Sequence, residues 1–232
     1  MRILAVADVH SPRYLEEFAS ELTKYNAPDL FLMAGDMVNR GKADEMINVL
    51  DVIGEQIGSN FPIVGCFGNE EYSEIRDELV EIIGTRMIIL DEQSLIFKIR
   101  GLKVGIVGTQ GSLDRPTSWQ RDNIPSIKRI FRRRVGRARN LLKRLEYQGA
   151  DRRILLMHYS PCLETCEGED RRAFSWLGSK RFYKILEEEQ PDLVIHGHVH
   201  NATVHEAYIR DTRVRNVALP AVGTITELDI WT

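Results

Sequence analysis

The chain has 232 residues, enough for one domain at the larger end of the usual range or for two small ones. Hydrophobic residues make up 43% and charged residues 28%, which excludes fibrous and intrinsically disordered classes. The net charge of -3 excludes a polycation that coats nucleic acid with its whole surface. No apolar run approaches the roughly 20 residues of a membrane-spanning helix. We therefore expect a cytoplasmic protein without a membrane segment.

The apolar N-terminal run is cut short at Asp8 and His10, so we expect no signal peptide. The three cysteines are too few, and odd in number, for a disulfide framework. Cys162 and Cys166 have CxxxC spacing, which is compatible with half of a zinc site or with a local disulfide. Because no second cysteine pair accompanies them, we interpret all three cysteines as buried or incidental thiols.

The first third of the chain alternates predicted strands with predicted helices. The strand patterns are short apolar runs, and the helix patterns have apolar residues at helical spacing. Strands are predicted over residues 3–7, 30–34 and 62–65, and helices over 15–25, 43–57 and 74–83. This alternation is typical of a mostly parallel sheet.

The rest of the chain is richer in β-type sequence. Short runs over residues 87–90, 94–99 and 103–107 predict neighbouring strands or hairpins. Helices are predicted over 127–147 and 180–189, and strands over 154–157, 193–195, 203–209, 213–217 and 225–230. Since we find no linker and no repeat, the simplest prediction is a single α/β domain over residues 1–232.

Seven side chains of metal-ligand type follow the predicted strands, each at the point where a strand ends. They are Asp8, His10, Asp36, Asn69, His158, His198 and His200. In open α/β sheets, ligands bind at this edge because the loops converge there on a crevice. Carboxylate, amide and imidazole donors together suit Mn, Fe, Zn, Co or Ni, among which we favour manganese.

The spacing within these motifs supports one shared site. Asp8 and His10 are two residues apart, as are His198 and His200, and in an extended segment such pairs point the same way. A glycine directly precedes three of the seven side chains and lets the backbone turn sharply after a strand. Any one of these motifs alone would more often be a turn or a satisfied core cluster, but their ordered combination predicts a metal centre.

The ordered set resembles the motifs of the calcineurin-like metallophosphoesterase superfamily. The matching motifs are Asp8-x-His10, Gly35-Asp36, Gly68-Asn69, His158 and Gly197-His198-x-His200. The resemblance implies a four-layer α/β/β/α sandwich with two divalent metal ions at one edge. It also implies a division of the ligands: Asp8, His10 and His200 on one ion, Asn69, His158 and His198 on the other, and Asp36 bridging both.

The resemblance further implies hydrolysis of a phosphate ester. Two ionised carboxylates among the ligands leave a surplus of positive charge on the two ions, which attracts phosphate. A metal-bridging hydroxide would attack phosphorus in line with the leaving oxygen.

One motif departs from the family pattern, which usually reads Gly-Asn-His-Asp/Glu after the third strand. Here Glu70 replaces the histidine that commonly contacts phosphate and protonates the leaving group. An ionised Glu70 would repel a dianionic monoester more than a monoanionic diester, and a protonated Glu70 would act as a general acid. We therefore predict a phosphodiesterase. The alternatives are a phosphomonoesterase, including a protein phosphatase, and a non-catalytic metal-binding scaffold or nucleic-acid-binding module.

Residues 35–41 resemble the GDxVDRG segment of the protein Ser/Thr phosphatases. Asn39 takes the place of the Asp that orients the catalytic histidine there, and we expect its amide to hydrogen-bond with Glu70. Arg40 matches a phosphate-contacting arginine, although a surface arginine in a loop is an equally good interpretation. Glu70, Asn39 and Arg40 are the candidate catalytic residues.

The predicted helix over 127–147 is strongly basic. Residues 128–144 contain nine Lys and Arg and no acid, beside an apolar face. A solvated amphipathic helix, a contact with nucleic acid or another polyanion, and a subunit or partner interface all remain open. The oligomeric state is not decided by the sequence.

Overall fold

Two β-sheets organise the fold of residues 1–229, the part of the chain that the computed structural model describes. The first sheet contains β1 (Arg2–Val6), β2 (Leu30–Met33), β3 (Ile63–Gly65), β4 (Ile88–Ile89) and β11 (Thr226–Asp229), in the order β11-β1-β2-β3-β4. The second contains β5 (Gln93–Ile99), β6 (Leu102–Thr109), β7 (Arg152–Met157), β8 (Leu193–His196), β9 (Glu206–Ile209) and β10 (Thr212–Asn216), in the order β5-β6-β7-β8-β10-β9.

Helices flank both sheets. The α-helices of the described residues are α1 (Leu15–Leu22), α2 (Glu45–Ile57), α3 (Arg76–Ile83), α4 (Ser118–Asn123), α5 (Ile127–Tyr147), α6 (Lys180–Glu189) and α7 (Leu219–Val222). Short 3-10 turns cover Ser73–Ile75, Glu164–Cys166 and Phe174–Trp176. None of the helices within residues 1–229 is both long and apolar enough to cross a bilayer.

Three buried clusters give the molecule its layers. One joins the first sheet to α1, α2 and α3, for example through Phe18, Phe31 and Val49. The second lies between the two sheets, and the third joins the second sheet to α5 and α6. Because the central strands are covered on both faces, their sequences are continuous apolar runs rather than alternating ones. The predicted four-layer α/β/β/α sandwich, as a single domain, is confirmed.

The strand register brings the loops that carry the predicted ligands to one edge. The strands β1, β2 and β3 are parallel, with Val6 beside Met33 and Met33 beside Gly65. In the second sheet β7 and β8 are also parallel, with Leu156 beside Ile195. Neighbouring strands therefore end at the same level, and the segments that follow them lie side by side.

Most predicted elements are present at nearly the predicted positions, with three differences. The run over 87–90 is not a neighbour of the run over 94–99, since β4 pairs with β3 in the first sheet and β5 pairs with β6 in the second. The short helices α4 and α7 were not predicted, although Thr117 and Gln120 form a capping box at the start of α4. The strand predicted over 225–230 is present as β11, and its last residue, Ile230, lies outside the described residues.

Candidate metal centre

All seven predicted ligand side chains converge where the loops after β1, β2, β3, β7 and β8 meet. Six of them form two groups, within each of which the ligand atoms lie within 4.8 Å of one another. The groups are Asp8, His10 and His200, and Asp36, His158 and His198. The two groups adjoin, because His10 Nε2 lies 4.0 Å from Asp36 Oδ2.

The first group is arranged around one oxygen of a fully buried carboxylate. Asp8 Oδ1 lies 2.9 Å from His200 Nε2 and 3.7 Å from His10 Nε2. The other oxygen, Oδ2, accepts a hydrogen bond of 2.8 Å from the backbone N–H of His198. Asp8 therefore holds a segment from the second sheet while its Oδ1 faces two imidazoles.

The second group is likewise arranged around a buried carboxylate, that of Asp36. Asp36 Oδ1 accepts a hydrogen bond of 2.7 Å from the Glu70 backbone N–H, and Oδ2 lies 3.3 Å from His158 Nε2. Asn69 joins this group, since its Oδ1 lies 3.0 Å from the same His158 nitrogen. Asp36 Oδ2 thus faces histidines of both groups, which is where a bridging carboxylate oxygen would lie.

Backbone carbonyls orient two of the histidines. His158 Nδ1 lies 2.9 Å from the carbonyl oxygen of Ala34, and His198 Nε2 lies 3.2 Å from that of Trp176. A ring N–H donated to a carbonyl fixes the orientation of the ring and turns the other nitrogen toward the site, as is usual for metal-ligating histidines.

The donor set fits divalent cations. His10 Nε2 is buried and has no hydrogen-bond partner, which is costly for a polar atom unless something else binds it. Each group also contains one buried carboxylate, Asp8 in the first and Asp36 in the second. A cation between these groups would satisfy the unpartnered nitrogen and compensate the buried negative charge.

In the protein without metal, the neighbouring histidines His158 and His198 have very different pKa values. Burial alone would lower the pKa of His158, but the carboxylates of Asp36 and Asp8 raise it to about 9. Burial lowers the pKa of His198 to about 4, and the positive charge of His158 acts in the same direction. In the metal-free protein at pH 7, His158 is therefore charged and His198 neutral.

The ligand-bearing loops have strained backbones. Asp8, His10, Asp36 and His198 all have positive φ angles, between 45° and 69°. Left-handed conformations are uncommon for residues other than glycine and cost on the order of 1–3 kcal/mol each. Four of the seven predicted ligands are thus held in conformations that only the surrounding structure makes possible.

The glycines before the ligands have a role beyond the predicted sharp turn. Among Gly35, Gly68 and Gly197, only Gly35 has a positive φ, of 84°. A Cβ added to Gly68 would overlap the Asp36 carboxylate, and one added to Gly197 would overlap that of Asp8. These two glycines therefore allow the carboxylates to pack directly against the backbone of a neighbouring loop.

Sequence reasoning did not identify Glu71, which holds the loops after β2 and β3 together. Its buried carboxylate accepts hydrogen bonds from the backbone N–H groups of Asp36, Met37, Val38 and Gly68, at 2.7 to 3.2 Å. Burial and the charge of Asp36 raise the pKa of Glu71 to about 7, although the backbone hydrogen bonds from Gly68, Asp36 and Val38 oppose this. Its position, after Gly68-Asn69-Glu70 in the family-like motif, was the available signal.

A cavity of about 480 Å³ opens above the two groups of ligands. Its walls are the exposed sides of several ligands together with the three candidate catalytic residues and Arg13, which sequence reasoning had not singled out. The lining residues are His10, Arg13, Asp36, Asn39, Arg40, Asn69, Glu70, His198 and His200.

The expected hydrogen bond between Asn39 and Glu70 is not formed within residues 1–229. Instead, Glu70 Oε2 accepts a hydrogen bond of 2.6 Å from the backbone N–H of Arg40. The reason is local: Arg40 has a positive φ of 50°, and the Gly41 N–H also bonds to the Glu70 carbonyl, so the two loops pair through their backbones.

The remaining histidine near the motif and the cysteines have structural roles. His196 is fully buried, and its ring nitrogens contact the Thr165 hydroxyl and the Gly197 carbonyl. All three cysteines are free and buried, as expected, and burial raises the pKa of Cys162 to about 11 and that of Cys166 to about 12.

A sequence model of the calcineurin-like phosphoesterase family matches residues 1–202. The chain belongs to this family. The family implies a dinuclear centre of divalent metals and hydrolysis of phosphoesters, and the two groups of ligands are the candidates for that centre. A comparison with curated proteins found no match.

Solved structures with the same fold include three that are only distantly similar in sequence. The phosphopantetheinyl hydrolase PptH from Mycobacterium tuberculosis has 16% identity and a TM-score of 0.68, covering 94% of this chain and 89% of that one. The calcineurin-like phosphoesterase YfkN from Bacillus subtilis has 16% identity and a TM-score of 0.59, covering 92% and 80%. The 5′-nucleotidase precursor from Thermus thermophilus has 13% identity and a TM-score of 0.59, covering 100% and 51%. At these identities the likeness shows the fold alone.

Proposed function

We propose that the chain, acting as one domain over residues 1–232, is a metal-dependent phosphodiesterase with two divalent ions, manganese being favoured. Asp8, His10 and His200 would hold one ion, and Asn69, His158 and His198 the other, with Asp36 between them. The observation that carries the proposal is that these donors lie together at the floor of a cavity whose wall contains Glu70.

The residues around the ions have separate tasks. When bound, the two ions would polarise the phosphoryl oxygens and activate water. The neutral Asn69 contributes an oxygen without adding negative charge, so the site stays cationic. Arg40 and Arg13 line the cavity and can pair with the outer oxygens of a phosphate group.

Glu70 is the reason why we propose diesters, rather than monoesters, as substrates. Its carboxylate is held at the cavity wall by the hydrogen bond from the Arg40 backbone N–H. A carboxylate at that position repels a dianionic monoester more strongly than a monoanionic diester, since the repulsion grows with the ligand charge. An ester with one negative charge is therefore the substrate class that the cavity suits best.

The test compares hydrolysis of bis-p-nitrophenyl phosphate and p-nitrophenyl phosphate by the manganese-loaded protein. We expect the diester to have the higher kcat/KM, and Glu70→His to shift the ratio at least tenfold toward the monoester. Glu74→Gln, which changes an exposed acid in the following turn, should leave the ratio unchanged. A wild-type preference for the monoester would refute the diesterase proposal. If two ions bind and neither ester is hydrolysed, either the substrate must differ from these generic esters or the chain is a non-catalytic scaffold.

A phosphomonoesterase is the second candidate, because the two arginines in the cavity wall favour a dianion. In that case, the same assay would show a higher kcat/KM for p-nitrophenyl phosphate, and Arg40→Gln would reduce monoester turnover more than diester turnover.

A further inference from the structure

A second cavity, of about 260 Å³, lies away from the metal ligands. It is formed by the loop after β6, the first turns of α5 and the start of α6. Four cationic side chains line it, together with one acid: Arg115, Lys128, Arg132, Arg181 and Asp114. Below the roughly 300 Å³ at which pockets for drug-sized ligands begin, a cavity suits a small group.

The four cationic side chains of this cavity are exposed and have no direct partner in the described part of the fold. Within residues 1–229, no hydrogen bond or ion pair engages the side chains of Arg115, Lys128, Arg132 or Arg181. The contrast with the rest of α5 is clear. Arg134 lies 3.8 Å from Glu92 Oε1, and Arg139 lies 2.5 Å from Glu188 Oε2, so these two arginines of the basic helix have carboxylate partners within the fold.

The one acid in the cavity is already engaged. Asp114 Oδ1 accepts a hydrogen bond of 3.0 Å from the backbone N–H of Lys180, the first residue of α6. Its negative charge therefore stabilises the positive end of that helix. Asp114 offsets only one of the four positive charges, so the cavity keeps a net positive charge, which attracts an anion.

Aromatic packing connects the wall of this cavity to the candidate metal centre. Phe131 lines the cavity and packs against Tyr159, with ring centroids 6.5 Å apart, and Tyr159 packs against His198 at 4.7 Å. The Arg115 backbone N–H bonds to the Ser175 carbonyl, next to Trp176, whose carbonyl holds His198. One buried aromatic ring thus separates the cavity from a candidate metal ligand.

We propose that the cavity between Arg115, Lys128, Arg132 and Arg181 is an anion site that binds a phosphate group. Three guanidinium groups and one ammonium group can surround such a group, and arginine pairs with phosphate oxygens in a bidentate manner. The phosphate is either a free ion or a group of the substrate remote from the bond that is cleaved. The site does not depend on the proposed diesterase function.

The direct test is calorimetric titration of the full chain with inorganic phosphate. A chelator-treated sample removes the competing metal centre, and a manganese-loaded sample is run in parallel. We expect one phosphate per chelator-treated chain, with an affinity that falls as NaCl is raised. Arg132→Gln/Arg181→Gln should weaken binding at least tenfold.

The matched control is Arg129→Gln/Arg133→Gln. This variant also removes two positive charges, but from exposed positions on α5 that do not line the cavity. It should change the affinity for phosphate less than twofold. Absence of saturable binding by the wild type, or an equal loss in both double variants, would overturn the proposal, since binding would then reflect overall charge alone.

A second experiment distinguishes the two sources of the phosphate. A dinucleotide phosphodiester is compared with the same compound carrying a terminal phosphate. For a substrate-borne phosphate, Arg132→Gln/Arg181→Gln raises the KM of the phosphorylated compound alone and leaves kcat unchanged. For a free ion, the two KM values do not respond and the calorimetric loss remains. If neither diester is hydrolysed, the proposed function fails, while calorimetry still decides the anion site.

Discussion

Neighbouring histidines at the candidate centre differ in charge because of their immediate contacts. The rings of His158 and His198 lie 5.0 Å apart, yet the Asp36 carboxylate acts most strongly on His158. Burial is the largest effect on both rings and lowers both pKa values, and at His158 the carboxylates reverse it. An imidazole must be neutral to bind a metal. If His158 binds a metal as proposed, it must lose a proton at pH 7.

We predict that manganese binding by the metal-free chain at pH 7 releases at least one proton. The sign follows from the raised pKa: the proton on His158 competes with the metal below about pH 9, so the metal affinity rises as the pH increases toward that value. Calorimetry in two buffers of different ionisation enthalpy measures the release. Identical heats in the two buffers would contradict the prediction.

Glu71 shows how one buried carboxylate can hold two loops together. Each of its oxygens accepts two backbone N–H groups from the loops after β2 and β3. We predict that Glu71→Gln lowers the free energy of unfolding by about 2–6 kcal/mol, because two buried donors lose their acceptor at roughly 1–3 kcal/mol each. Glu70→Gln, which affects one hydrogen bond at the cavity wall, serves as the control in urea denaturation. Equal effects of the two substitutions would contradict this role of Glu71.

At the scale of elements, the segments after the strands decide the geometry of the site. The strands themselves could be predicted, because buried parallel strands produce apolar runs that end at polar residues. The proposed ligands Asp8, Asp36 and His158 follow the predicted strands and could therefore be found from the same pattern. The hydrogen bonds of Glu71 could not be predicted in this way. Its partners Asp36 and Met37 come from a different loop, and nothing in the local sequence pattern indicates which loops lie in contact.

Two further differences have the same origin. The runs that became β4 and β5 have similar local sequence patterns, and only long-range pairing assigns them to different sheets. The expected hydrogen bond between Asn39 and Glu70 is not formed within residues 1–229, because the Glu70 carboxylate accepts a hydrogen bond from the backbone N–H of Arg40 instead. Local periodicity predicts an element, whereas its neighbours are determined by contacts between distant parts of the chain.

The close packing of these loops gives a prediction for Gly68. A Cβ there would overlap the Asp36 carboxylate and backbone, so Gly68→Ala should displace Asp36 and reduce bound manganese below two ions per chain. Gly136→Ala is the matched control, because nothing lies within 4 Å of its added Cβ on the surface of α5. The control should keep its metal and gain about 0.5–1 kcal/mol in stability from helix propensity. Full metal binding by Gly68→Ala, measured by mass spectrometry of the metals, would contradict the packing argument.

The whole molecule places the centre between two sheets. The first sheet supplies Asp8, His10, Asp36 and Asn69, and the second supplies the three remaining histidines. The two sheets pack against each other through the central buried cluster, so their relative position is set by the core rather than by the ligands. A centre built across this interface should stabilise the fold when metal is bound, since a ligand that binds only the folded state adds to its stability.

We propose that these seven side chains together hold two ions. Inductively coupled plasma mass spectrometry can count the manganese bound to the reconstituted 232-residue chain, beside Asp36→Asn and the surface variant Glu74→Gln. We expect two ions per chain for the wild type and for Glu74→Gln, and fewer than two for Asp36→Asn, whose carboxylate lies between the groups. One ion or none in the wild type, or two ions retained by Asp36→Asn, would show that these side chains do not form a two-ion centre.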